Sequence, residues 1–337
     1  MNIPAEFDEI RPYTPEELPQ IFDELLADPA FQAVISLIMP GMPLDTLSHK
    51  LHQCKNNLEV QKTIFYPLLH QIIKEHSDGF TLNASSLTDK EKNYTFISNH
   101  RDIVLDPGFL SLGLLDNHFP TTVEIAIGDN LLIYPWIKKL VRVNKSFIVQ
   151  RALSMRQMLL SSARMSRYIH FAITQKKENV WIAQREGRAK DSNDRTQESV
   201  LKMLALGSTG DTIDYLKELN IVPTSLSYEY DPCDFLKAKE MQQKRDIENF
   251  KKSQQDDLTN MQTGIFGYKG KVYFQTAPCI NDELETLRGC PKNELFLKIA
   301  QLIDQHIHLN YRLYPGNYIA SVSYTHLRAH ETSAHLV

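Results

Sequence analysis

Tyr94 to Leu115 reads YTFISNHRDIVLDPGFLSLGLL: a β-rich run, a short polar turn, then an apolar stretch suited to a helix. A strand that hands over to a helix is the unit of a layered α/β domain, and it places Asn99 and His100 at the strand's end, near a helix N-terminus. Working outward, similar runs recur as TVEIAIG from Thr122, FIVQR from Phe147, NVWIAQ from Asn179, IVPTSLSYEY from Ile221 and GKVYFQTA from Gly270. Amphipathic segments separate them. The alternation predicts an α/β fold, a layered mixed sheet flanked by helices.

The first 88 residues read differently. Thr14 is suited to cap a helix starting at Pro15, with Glu17 at the capping-box position. LEVQKTIFYPLLHQIIKEH from Leu58 has helical spacing with a kink expected at Pro67, and Gly79 and Asn83 mark a loop. This predicts an N-terminal helical subdomain over 1–88 and an α/β domain over 89–320. Within the latter, Ala152 to Lys176 is the longest helical connection. Phe235 to Met261 reads as a charged, solvated helical excursion. The last seventeen residues, SVSYTHLRAHETSAHLV from Ser321, break with what precedes them, and Ser323 to Thr332 resembles a translated sequencing-library adapter. A non-native tail over 321–337 is expected, rather than a metal tract of His326, His330 and His335.

With 42% hydrophobic and 23% charged residues and a net charge of −4, the chain is neither disordered nor broadly basic, so no nucleic-acid partner is expected. The four cysteines form no CxxC pair and no zinc spacing, which favours a reducing compartment and no metal. The acidic N-terminus lacks a signal-peptide pattern. Ala30 to Pro40 is about half the ~20 residues that a spanning helix needs, so a cytoplasmic protein is expected.

Four blocks carry chemistry: the one around His100, NKSFIVQR from Asn144, WIAQREGRAKD from Trp181, and IVPTSLSYEYD from Ile221. An imidazole with one nitrogen bonded to a carboxylate takes a proton at the other, and the carboxylate stabilises the resulting imidazolium. Asp106 is the first choice for that carboxylate and Asp102 the second. The arginines beside the second and third strand-like runs suggest an anion site, so the set suggests deprotonation of a hydroxyl on a phosphate-bearing molecule.

In order and content the blocks resemble those of the glycerolipid acyltransferases, which transfer a fatty acyl chain to glycerol-3-phosphate or lysophosphatidate. Over residues 90 to 320 the strings NHRDIV, GDN, NKSFIV, EGRAKD and SYEYDPCD resemble a bacterial subgroup. The family's first block spaces His and Asp by four residues; here five separate His100 from Asp106. The resemblance implies His100 as general base, Arg151 as a contact to the acceptor phosphate, and Lys145, Glu186, Gly187 and Arg188 as further acceptor-binding positions. It also implies Pro223 as a pocket residue, although a proline there is equally a structural stop. No cofactor is implied. The co-substrate is an acyl thioester of acyl carrier protein or CoA, the acceptor a phospholipid precursor, and the absence of a GxSxG elbow argues against a serine nucleophile.

Such acceptors live in bilayers, so a peripheral position on the inner face of the cytoplasmic membrane is expected. LLIYPWIKKLVRV from Leu131, with Trp136, Lys138, Lys139 and Arg142, suits either a membrane interface or a helix packed on the sheet. Rival readings are transfer to a lyso-amino-lipid, a non-catalytic lipid-binding homologue, and a metal-dependent phosphoesterase. The last is suggested by SNHRD and GDN, but it lacks the leading Asp-x-His.

Overall fold

β-Branched and aromatic runs pair laterally into a seven-stranded sheet in the order β1-β7-β6-β2-β5-β3-β4. Its strands are β1 (Phe80–Asn83), β2 (Thr95–Ser98), β3 (Val123–Gly128), β4 (Ser146–Val149), β5 (Asn179–Ala183), β6 (Ile221–Tyr228) and β7 (Val272–Thr276). The computed structural model describes residues 3–151 and 154–334. From β6 through β2, β5 and β3 to β4 the strands run parallel; β7 joins β6 antiparallel and carries β1 parallel to itself. The fold is therefore a mixed α/β sheet flanked by helices.

Strand periodicity divides the core between the sheet's two faces. Ile97, Val180, Ile182 and Ile221 face one cluster and Phe96, Trp181, Val222 and Leu226 the other. Before the sheet come α1 (Leu18–Leu26), α2 (Pro29–Ile38), α3 (Leu44–Gln53), α4 (Asn57–Val60) and α5 (Tyr66–His76). Between β2 and β5 lie α6 (Leu105–Asp116), α7 (Pro135–Val143) and α8 (Met155–Phe171); α9 (Glu198–Ala205) and α10 (Thr212–Glu218) precede β6. Next, α11 (Asp234–Asp246) and α12 (Gln254–Phe266) precede β7, and α13 (Asn281–Thr286), α14 (Lys292–Asn310) and α15 (Pro315–Ala334) follow it. Helices α5 and α6 cover the face containing Trp181, and α8, α9 and α14 cover the other. Burying each Leu, Ile or Phe of these faces contributes about 1.5–3 kcal/mol, so the two-sided packing is what holds the strand ends in place.

Several local expectations need correction. The segment read as a loop around Asn83 contains β1, whose four residues pair with β7 from Phe80↔Val272 to Asn83↔Gln275. So short a strand has little local signal and is fixed by its partner. The first helix begins at Leu18 rather than Pro15; Glu17 still accepts the Thr14 backbone N–H at 2.6 Å while its carboxylate also binds Arg11. No sharp break falls at Pro67. The distortion is a π-turn at Gln61–Phe65, one turn earlier, where the backbone adjusts to the proline ring and its missing N–H.

Pro223 is not a stop at a strand's end. It lies inside β6, opposite Ile97 of β2. Its carbonyl accepts from Ala277 N–H at 2.8 Å, on the β7 side, and ladder pairing with β7 begins only at Thr224↔Thr276. The missing N–H thus falls where the antiparallel ladder has already ended.

Helices α1 to α3 pack on α7 through Phe22, Leu25, Leu47, Trp136 and Ile137. At the other terminus α15 runs without a break through Ser321, and its residues up to Tyr324 are exposed. His335 lies outside the described residues.

Candidate active site

The loops that follow the parallel strands gather at the strands' carboxyl ends, the position where open α/β sheets place ligands. His100 stands two residues beyond β2. Its neighbour Asn99 replaces backbone with side chain: Nδ2 donates to Leu226 O at 2.9 Å and Oδ1 accepts Leu226 N–H at 2.8 Å, fixing the end of β2 to β6. Trp181 of β5 closes one side, its ring edge-on to the imidazole with centroids 5.5 Å apart and its Nε1–H donated to Ser98 Oγ at 2.9 Å.

Nδ1 of His100 lies 2.7 Å from Oδ2 of Asp106, in the first turn of α6. The same oxygen accepts the Arg101 N–H at 2.6 Å and the Asp102 N–H at 3.1 Å; Oδ1 accepts the Tyr228 hydroxyl at 2.9 Å. Asp106 is wholly buried, and four donors compensate its charge. The imidazole is 13% exposed, and Nε2 has no protein partner among the described residues. An inward nitrogen bound to a carboxylate and an outward one free is the arrangement of a general base.

Asp102 does something else. Its Oδ1 accepts Val104 N–H at 2.8 Å and Leu105 N–H at 2.7 Å, capping α6, an arrangement that contributes ~1 kcal/mol. Burial, reinforced by the neighbouring Asp106 charge, pushes the Asp102 carboxyl above its ordinary range.

Arg151 follows β4, the far edge strand, and its side chain passes over Gly128 at the end of β3. A Cβ on Gly128 would lie 2.8 Å from Arg151 Nε and 2.5 Å from Asn130 Oδ1. The guanidinium then reaches the loop after β5, where Nη1 donates to Glu186 Oε1 at 3.0 Å. The arginine thus spans β3 and arrives beside the strand adjoining β2. Asp129 accepts the Arg151 backbone N–H at 3.1 Å, and the Gln197 side chain holds the Glu186 N–H at 2.8 Å. The pair is partly exposed, so its value lies in orientation more than in stability.

After Glu186 the chain turns at Gly187, whose φ of +68° suits glycine. Arg188 then enters the interior toward α12: Nη2 donates to Asn260 Oδ1 at 3.0 Å, and Nη1 is buried without a protein partner. Arg151 and Glu186 are brought together. Arg188 lies on the α12 side, beside Asp102.

Lys145 is removed from the site. It precedes β4, so it lies at the opposite end of the sheet from Arg151, and its buried ammonium donates to Thr121 Oγ1, Thr122 Oγ1 and Glu178 Oε2. Burial lowers its proton affinity. Pro223 lies well before the end of β6 and is also buried, so it supports the sheet beneath the site.

The segment read as a solvated excursion folds back over these loops. Lys237 of α11 is buried, donates to Arg101 O at 2.9 Å and pairs with Asp231; Gly264 of α12 packs directly on the Asp102 carboxylate. Arg101 pairs with Asp194, bonds Ser192 and Tyr311, and thereby ties the main chain beside His100 to α14. The interfacial reading of Leu131 to Val143 also changes. Trp136 packs on Phe31 at 6.0 Å, while Arg142 stacks on Tyr13 and holds the carbonyls of Arg11 and Asp8. The exposed apolar surface near Arg151 is instead the start of α8, where Met155, Met158, Leu159 and Leu160 are 53–85% exposed.

A narrow cavity of about 80 Å³ lies between α5 and α6, lined by Phe65, Leu69, Val104, Leu112, Leu115 and Ile125 among others. Among the described residues no three His, Cys, Asp or Glu side chains converge as a metal-ligand set, and no helix is long and apolar enough to cross a membrane.

No family model matches the chain and no curated protein matches it. Among solved structures, the 1-acyl-sn-glycerophosphate (LPA) acyltransferase PlsC from Thermotoga maritima is similar at a TM-score of 0.42 and 12% identity, over 87% of this chain and 96% of that one. A likeness of that degree carries no chemistry across, so the functional reading rests on the side chains.

Proposed function

We propose that the chain is a glycerolipid O-acyltransferase. It moves a fatty acyl group from acyl-ACP or acyl-CoA to a hydroxyl of glycerol-3-phosphate or lysophosphatidate. The observation that carries this reading is the His100–Asp106 pair, with Nε2 free, at the same end of the parallel strands as the Arg151–Glu186 pair. Neither pair alone names a reaction. A base at the same end of the parallel strands as a partly exposed guanidinium suits an acceptor that carries both a hydroxyl and a phosphate.

In the proposed step the acceptor oxygen attacks the thioester carbonyl carbon while its proton passes to Nε2. Asp106 stabilises the imidazolium. The tetrahedral intermediate collapses, the C–S bond breaks, and the leaving thiolate takes the proton from His100, which returns to its starting state. No covalent enzyme intermediate forms. The Arg101 and Asp102 amides are already donated to Asp106, so oxyanion stabilisation falls to other donors. Arg151, oriented by Glu186, takes the acceptor phosphate. The apolar start of α8 is suited to contact with the inner leaflet.

The test is incubation of the purified protein with labelled acyl-ACP and acyl-CoA against glycerol-3-phosphate, lysophosphatidate and a lyso-amino-lipid. A new ester on a phosphate-bearing acceptor is expected. Ester on the lyso-amino-lipid alone would replace the acceptor, and no ester from any pair would leave a non-catalytic lipid binder.

A further inference from the structure

The Asp106 carboxylate has a partner that no general-base account requires. Tyr228 is the last residue of β6, 122 positions along the chain, and its hydroxyl donates to Oδ1 at 2.9 Å while His100 occupies Oδ2 at 2.7 Å. The ring is fixed by stacking on Phe109 of α6, centroids 6.5 Å apart, and by an edge contact to Phe274 of β7 at 5.9 Å. It is 7% exposed, so water does not compete for the hydroxyl.

We propose that Tyr228 is a positioning residue of the His100–Asp106 pair, orienting the carboxylate and withdrawing negative charge from it, and so setting the pH at which His100 becomes a competent base. This rests on the reading of His100 as general base. A donor on one carboxylate oxygen stabilises the anion and weakens what the other oxygen offers the imidazolium. Burial, and then the Asp106 and Asp102 charges, hold the Tyr228 hydroxyl well above its ordinary range, so it stays a donor across the working pH range.

The other charged groups around the pair are engaged elsewhere. Asp102 caps α6, Arg101 turns to Asp194, Lys237 of α11 bonds Arg101 O and Asp231, and Arg188 faces Asn260. Lys269, ahead of β7, donates to the Ile265 and Gly267 carbonyls. Beyond His100, Tyr228 is the one side chain among the described residues that hydrogen-bonds Asp106.

Tyr228→Phe keeps the ring and removes the donor. Its acid limb in kcat/KM against pH is expected to move up by about half to one pH unit, a size set by one hydrogen bond to a charged group. Turnover then falls about 3- to 10-fold below the limb and returns to within about 3-fold of wild type on the alkaline plateau, with acceptor KM unchanged. A merely structural role would lower turnover at every pH and leave the limb in place, which overturns the proposal. An NMR titration of the His100 Cε1–H, wild type against Tyr228→Phe, separates this idea from the reading it rests on. A higher midpoint in the variant supports the role of Tyr228 even if no acyl transfer is found, and coincident midpoints refute it.

Discussion

Nδ1 of His100 and Oδ2 of Asp106 lie 2.7 Å apart although five residues separate them, because the intervening turn is capped by Asp102 and pulled inward by two backbone donors to Asp106. The two aspartates therefore have different tasks. Asp106→Asn leaves an amide where the imidazolium needs a charge, and turnover is expected to fall by about 10²-fold or more. Asp102→Asn retains an oxygen that accepts both the Val104 and Leu105 N–H groups and is expected to keep turnover within about 3-fold. Parallel kcat measurements on the two variants check this; equal losses would contradict the assignment.

The same substitution has a pH signature. Burial, then the Asp106 charge, raise the folded-state pKa of Asp102 above its unfolded value. The folded state therefore binds more protons between the two values, and wild-type stability falls as pH rises through that window. Asp102→Asn removes the effect. Thermal midpoints should show the variant gaining on wild type as pH is raised from the ordinary carboxylate range upward, and a variant that instead loses ground to wild type would show that the ionised carboxylate is stabilising.

How much of this could be read in the sequence varied with the range of the interaction. The six β-rich runs correspond to β2 through β7 because their apolar pattern is local. β1 was not legible, since its identity comes from β7, some 190 positions away. Lys145 and Arg151 are six positions apart, yet β4 carries them to opposite ends of the sheet, roughly 20 Å at strand rise. Trp136 and Arg142 had the composition of an interface, but the N-terminal helices and segment that cover them are remote in sequence. Tyr228 stood within the quoted fourth block, but nothing local ties a strand's last tyrosine to an aspartate at the start of α6.

Arg151 reaches Glu186 only because Gly128 has no side chain. Arg151→Ala should raise acceptor KM by about 10-fold or more with a smaller change in kcat, the loss expected for a charge-assisted contact. Gly128→Ala should produce the same pattern more weakly, by displacing the guanidinium. Steady-state kinetics against acceptor concentration test both, and a kcat-only effect would argue against acceptor binding.

At the start of α8 the apolar side chains Met155, Met158 and Leu159 are exposed beside the basic Arg156. The wild-type protein should float with vesicles containing anionic lipid, and the triple Ser variant should remain in solution with its fold intact. Equal flotation of both would move the membrane contact elsewhere on the molecule.

The central claim is that His100 removes the acceptor's proton. The most direct measurement is thiol release from the acyl donor with saturating acceptor, wild type against His100→Ala, with circular dichroism and thermal midpoint as folding controls. A loss of about 10²- to 10⁴-fold in a folded variant is predicted. Undiminished release by folded His100→Ala would contradict the account.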